Sequence, residues 1–174
     1  MIERVLREAG ADRADITKIV CGVGPGPFTG LRVGLTSALV LGRALGVQVV
    51  GVCSLDIIAA EVAEAGPFAV TADAKRKELY WAKYENGVRV SGPAVATPAD
   101  VSAGIAGLPV AGAGPVRYPE HFANSISPTG ATVIGLTRVA VRPGSWLEPG
   151  PLYLREPDAV ASGQRKPVTP GGVR

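Results

Sequence analysis

The thirteen residues Gly22-Val-Gly-Pro-Gly-Pro-Phe-Thr-Gly-Leu-Arg-Val-Gly34 constrain this chain more than any others, because five are glycine and two are proline. They follow a short apolar run, Ile19-Val20-Cys21, and lead into a long apolar pattern. Glycine serves where the backbone takes positive φ or another backbone comes close. The local reading is therefore strand, glycine-rich turn, helix. Such a unit either cradles a phosphate at the helix N-terminus or lets a second protein pack tightly on the helix. The phosphate fingerprints fit poorly. From Gly24 the spacing is Gly-x-Gly-x-x-x-Gly, one residue longer than the dinucleotide motif. Pro25 and Pro27 remove two backbone donors. No Lys-Ser or Lys-Thr follows, and no acidic residue stands about 20 positions on to hold a ribose.

The helix pattern begins at Thr29, a suitable N-cap, and stops at Gly46. Between them the charged residues are Arg32 and Arg43 alone. A helix this apolar is buried or lies in an interface. Gly30 and Gly34 are four apart, as are Gly42 and Gly46, which permits close approach of another element. Arg43 interrupts the run before it reaches the roughly 20 apolar residues of a membrane span. A plain core helix and a core helix with a partner face both remain open on this pattern.

The chain resembles the TsaB (YeaZ) family of bacterial tRNA threonylcarbamoyladenosine biosynthesis proteins. Gly-Val-Gly-Pro-Gly-Pro-Phe-Thr-Gly-Leu-Arg-Val-Gly-Leu is the most specific block. The others are Gly46-Val-Gln-Val-Val-Gly-Val-Cys-Ser-Leu55, Asp73-Ala-Lys-Arg-Lys-Glu-Leu-Tyr80 and Pro151-Leu-Tyr-Leu-Arg155. One departure stands out. The family pattern opens with strands that carry an Asp-Thr-Ser motif and a His-Ser-Glu segment, whereas this chain opens at the helix that follows them, with Ile2, Val5, Leu6 and Ala9 on one face and Gly10 ending it. The expectation is an N-terminal truncation. The strands at 18–23 and 47–53 make a thin sheet, whose open edge and apolar helices call for cover.

The resemblance implies an α/β, actin/Hsp70/sugar-kinase-like (ribonuclease-H-like) fold of two subdomains, the first one truncated. Residues 1–66 would be the remainder of the first subdomain, 67–157 the second, and 158–174, rich in Pro and Gly, a disordered tail. In the first, a helix is expected from Leu55 to Ala65. In the second, strands are expected at Pro67–Asp73 and Glu78–Tyr84, then an Asn86-Gly87 hairpin turn, a helix at Pro98–Ile105 and a strand at Leu108–Ala113. The Gly112-Ala-Gly114 step reads as a strand-to-loop turn in preference to a ligand approach. The β-branched stretch 129–142 is open between strand and helix on its residues, and the family pattern makes it helix.

The charge and the titratable residues narrow the chemistry. Net charge is +3 and pI about 9.1. The basic residues cluster only at Lys75-Arg76-Lys77 and at Arg165-Lys166 in the tail. The nearby aromatics, Tyr80, Trp81 and Tyr84, alternate as in a half-buried strand, which is favoured over an RNA-stacking platform. A single histidine, His121, excludes a His-Glu-x-x-His peptidase, and no nucleophile elbow lies near it. It reads as a solvated histidine at a helix start. Asp73 reads as a turn cap or the partner of Arg76. Cys21 and Cys53 read as free thiols. No membrane-length run or export leader is visible, so the expected location is the cytoplasm.

By resemblance, the chain is a non-catalytic subunit that binds the catalytic paralogue TsaD as a heterodimer, works with the ATPase TsaE and meets tRNA indirectly. The implied interface residues are Thr29, Gly30, Leu31, Arg32, Gly34, Leu35, Ala38 and Leu41. The family-motif residues are Gly24, Gly26, Phe28, Asp73, Arg76, Glu78 and Tyr80. Arg32 has two readings, a bridge to a carboxylate across the interface or an intrachain cap or salt bridge. Homodimerisation through the same face is expected in isolation. No cofactor is implied for the chain alone, with room for ATP or ADP at the complex interface. The rival reading is a nucleotide-dependent transferase or kinase of the same superfamily, or a glycoprotease-like protein without a catalytic site.

Overall fold

The computed structural model describes residues 2–63, 66–105 and 107–155. Helix α1 (Ile2–Glu8) and a 3-10 turn (Arg13–Asp15) lead into β1 (Lys18–Gly24), α2 (Phe28–Leu45), β2 (Gln48–Cys53) and α3 (Ser54–Ala59). The chain continues as β3 (Phe68–Asp73), β4 (Leu79–Glu85), β5 (Val88–Ala96), α4 (Pro98–Ile105), β6 (Val110–Gly112), α5 (Ala113–Arg117) and α6 (Val133–Ala140). β1 and β2 pair in parallel, and β2 is flanked by a bridge between Gly51 and Leu147. The second sheet has the order β5-β4-β3-β6, antiparallel except for the parallel β3–β6 pair.

The residues explain these elements. β1 and β2 are β-branched and carry a single charge, Lys18, as suits strands covered by helices. In α2, Leu31, Leu35, Ala38 and Gly42 recur at helical spacing. Leu35, Ala38 and Gly42 are buried on the sheet, where Gly42 leaves room for the Val49 side chain. Gly46 ends α2 with φ +68, the left-handed cap its position predicts. The start differs from expectation. The helix begins at Phe28 with Pro27 at the N-cap, and Thr29 lies inside its first turn. The fixed φ of proline suits a helix start, and its ring has no oxygen to cap the helix, so no side-chain cap forms.

Asn86 and Gly87 both have positive φ, as a type I′ hairpin needs. α4 spans Pro98–Ile105 as read from Thr97-Pro98. Residues 133–140 are helix, with Thr132 accepting from the Gly135 N–H. α3 stops at Ala59, shorter than the expected Leu55–Ala65. The expected tail at 158–174 lies outside the described residues. Gly112-Ala-Gly114 is a structural turn: Gly112 has φ +93 and sits against the Thr71 backbone. Thr71 is fully buried, donates to the Ala111 carbonyl at 2.9 Å and accepts from the Gly114 N–H at 2.9 Å.

One partly buried polar cluster ties α3 to the second sheet. Asp56 accepts from the Tyr84 hydroxyl at 2.7 Å and pairs with Arg89 at 3.0 Å, and Arg89 also donates to the Gly92 carbonyl at 3.1 Å. Burial, and then the Asp56 charge, push the Tyr84 phenol far above its ordinary range, so it stays a donor. Asp56→Ala leaves the phenol and the guanidinium without their acceptor. The expected cost is about 2–3 kcal/mol, seen as a fall in melting temperature of roughly 4–12 °C. An unchanged melting curve would refute the role given to this cluster.

Candidate functional site

α2 has two faces. Thr29, Gly30, Arg32 and Gly34 are exposed, Leu31 and Leu41 are half-buried, and Leu35 and Ala38 are buried. Leu35 and Ala38, named for the partner face from the sequence, are instead packed against the sheet. The outward apolar residues are instead Val33 at 62% exposure, Leu39 at 41% and Val40 at 63%. Val33 and Val40 point to one side of the outer surface, with Leu39 on one flank and Gly30 and Gly34 on the other, and a Cβ built on either glycine meets nothing within 4 Å. Among the described residues these glycines have no close neighbour for a side chain to meet. They leave the outer surface of α2 bare over one helical turn.

At the N-terminal end of α2 three of the sequence blocks meet. A cleft of about 240 Å³ is lined by Gly26, Phe28, Asp73, Arg76, Tyr80 and Arg155, among others. The C-terminal Pro151–Arg155 segment forms one wall. The Leu152 N–H donates to the Val23 carbonyl at 2.7 Å. Tyr153 stacks on Phe28 with ring centroids 4.7 Å apart and accepts a hydrogen bond from Arg32 Nε at 3.0 Å. Arg32 therefore has an intrachain partner, a tyrosine hydroxyl 121 residues away, which neither sequence reading named. Arg155 pairs with Glu78 and donates to the Ala74 carbonyl at 3.2 Å. Gly24 has φ +107 and little space beside Leu31 and the Leu152 carbonyl, so the block-one turn needs a glycine there.

The loop from β3 to β4 is strained. Lys75, Arg76 and Lys77 all have positive φ, at 62, 54 and 59°. Left-handed backbone costs a non-glycine residue about 1–2 kcal/mol, and three in succession need support. Asp73 supplies it. Its carboxylate accepts the Lys75 N–H at 3.1 Å, and it pairs with the Lys75 ammonium at 2.9 Å and with Arg117 at 3.4 Å. The turn-cap reading of Asp73 holds, with Lys75 and Arg117 as its cationic partners. Burial pulls the Asp73 carboxyl up, but the Lys75 hydrogen bonds and the Arg117 and Lys75 charges outweigh it and hold it below its ordinary value. The sign follows: Asp73 stabilises the fold fully above the unfolded carboxylate pKa, and the contribution fades as pH falls through the lower folded value. In urea unfolding, the stability gap between wild type and Asp73→Asn should be constant near neutrality and close in acid. A gap that widens in acid would contradict this account. Tyr80 is buried, with its phenol pushed up by burial and then by the Asp73 charge.

His121 lies in a turn after α5, half-buried beside Glu120, and not in a helix; its carbonyl accepts from Ser102. Cys21 and Cys53 are free, and burial raises both thiols above their usual range. Among the described residues no helix is long and apolar enough to cross a membrane.

The model of the TsaD family, described as tRNA N6-adenosine threonylcarbamoyltransferase, matches residues 1–142. YeaZ from Pseudomonas aeruginosa matches the fold with a TM-score of 0.72 and 28% identity, over 88% of this chain and 82% of that one. The chain belongs to this family, on its TsaB/YeaZ side. TsaB of Escherichia coli, named a tRNA threonylcarbamoyladenosine biosynthesis protein, is 36% identical over 51% of this chain and 41% of its own length. An uncharacterised protein of Mycobacterium leprae is 46% identical over 94% of this chain and 43% of its own length. The chain thus spans less than half the length of these two relatives. The α/β, actin/Hsp70/sugar-kinase-like fold implied by the TsaB blocks is the fold observed.

Proposed function

We propose that this chain is a non-catalytic subunit of the machinery that makes N6-threonylcarbamoyladenosine in tRNA, and that it docks a TsaD-type catalytic paralogue through the outer face of α2. The observation that carries the reading is the exposed outer surface of α2, with Val33 and Val40 at its centre, Leu39 on one flank and the bare glycines Gly30 and Gly34 on the other. Aliphatic side chains supply area, and glycines let a partner helix come close. Gly30 and Gly34 serve the partner, and Leu35 and Ala38 hold the platform from below. Arg32 is held by Tyr153 and stiffens the rim.

Within this reading the TsaE ATPase joins the assembled pair, and the same face supports a homodimer when the partner is absent. ATP or ADP belongs to the complex interface and not to this chain alone. The threonylcarbamoyl transfer itself is the work of the partner.

The test is reconstitution. The matching TsaD-type and TsaE-type proteins, threonylcarbamoyl-adenylate and unmodified tRNA are combined with and without this chain, and the modified nucleoside is measured by mass spectrometry. Product that depends on this chain supports the reading. Equal product in its absence overturns it.

A further inference from the structure

We propose that the β3–β4 loop is a contact for RNA phosphate, so that this subunit holds tRNA directly; the proposal rests on the tRNA-modifying role inferred above. The tip of the loop is Lys75, Arg76 and Lys77, three successive cations, all exposed. The loop does not relax into an ordinary turn. All three residues keep left-handed φ, and the Lys75 and Glu78 backbones close the loop with a 3.0 Å hydrogen bond. The Asp73 pair with Arg117 joins α5 to the same surface. Lys77 and Arg117 line one groove with Thr97, Tyr118, Glu120 and His121. Lys75 and Arg76 border the cleft at the start of α2. Positive charge therefore runs from the rim of the proposed partner face to α5. Of the carboxylates along this path, Asp73 is only 17% exposed and Glu78 is engaged by Arg155, while Glu120, at 61% exposure beside His121, is the open acid in the groove.

The chemistry selects the occupant. Lysine is depleted in protein–protein interfaces, whereas a phosphate backbone is gripped by lysine and arginine with no need of apolar area. Tyr80 and Tyr84 are buried and Trp81 is half-buried in β4, so they offer no open platform for stacking bases. The contact expected is with phosphates: indifferent to sequence and steeply dependent on salt.

The experiment measures binding of a fluorescein-labelled, unmodified tRNA transcript across a salt series, for the full chain alone and for its complex with the TsaD-type partner. Wild type is compared with Lys77→Asn/Arg117→Gln and with Lys77→Arg. Asparagine suits left-handed backbone better than lysine. Arg117→Gln also removes the Arg117 pair with Asp73, so Lys77→Asn alone is measured beside the double variant. Loss of RNA binding by Lys77→Asn at an unchanged melting temperature separates lost charge from a melted loop. The double variant should bind roughly five- to ten-fold more weakly per cation near 0.1 M salt, and its log–log salt slope should fall by about 0.7–0.9 per lost contact. Lys77→Arg should bind like wild type, and partner association should be unchanged in all three. Unchanged RNA affinity and slope in the double variant overturn the proposal. So does loss of partner association with RNA binding intact, which would assign the loop to an acidic protein surface. Wild type that binds tRNA but not the partner would overturn the scaffold reading and leave the RNA contact standing.

Discussion

Gly112→Ala is expected to destabilise the protein by about 2–5 kcal/mol, combining left-handed strain with overpacking. Gly112 has φ +93, and a Cβ there is driven into the Thr71 carbonyl. Neither side can yield. The Gly112 N–H is bonded to the Pro128 carbonyl at 2.8 Å, and Thr71 is fully buried and pinned to Ala111 and Gly114. The parallel β3–β6 pairing ends at the Thr71–Gly112 register, so the clash falls inside the ladder. The melting temperature should fall by roughly 5–20 °C. A variant that melts within 2 °C of wild type, judged against that scale, would show that the turn is not needed for the fold.

The second large effect concerns binding. Gly34→Leu should weaken association with the TsaD-type partner by about 100-fold or more, about 2.7 kcal/mol, because a branched side chain holds the partner away from the helix backbone. The fold should not suffer. A Cβ at residue 34 meets nothing within 4 Å, and replacing glycine in an exposed helix interior gains about 0.5–1 kcal/mol of helix stability. The variant should therefore melt at or slightly above the wild-type temperature while losing its partner. Val40→Asp, which sets a charge on the same outer surface, should do likewise. Equal affinity in both variants would remove α2 from the interface.

These two glycines also show where the sequence was legible. Gly112 and Gly34 look alike in sequence, each followed within four residues by apolar neighbours, yet one is locked against β3 and the other faces open space. Local patterns did locate the elements. The apolar run of β3, the alternation of β4, Asn86-Gly87, Thr97-Pro98 and Gly46 all depend on nearest neighbours, and each forms its element as expected. The face of α2 was not legible, because the helix is apolar all round and only the packed sheet separates Leu35 from Val33. The site at its start was half legible. Three blocks could be named, but their convergence depends on Tyr153 reaching Phe28 and Arg32 across the chain. The Lys75–Lys77 loop carried no signal of its own shape, since it holds no glycine or asparagine, and its geometry comes from Asp73. The Asp56–Tyr84–Arg89 cluster was likewise invisible, because its members lie on three separate elements.

The most direct test of the central claim is size-exclusion chromatography with light scattering on this chain, mixed with the matching TsaD-type protein. The account predicts a one-to-one complex that Gly34→Leu abolishes. A well-folded chain that elutes apart from the TsaD-type protein at every ratio would contradict it.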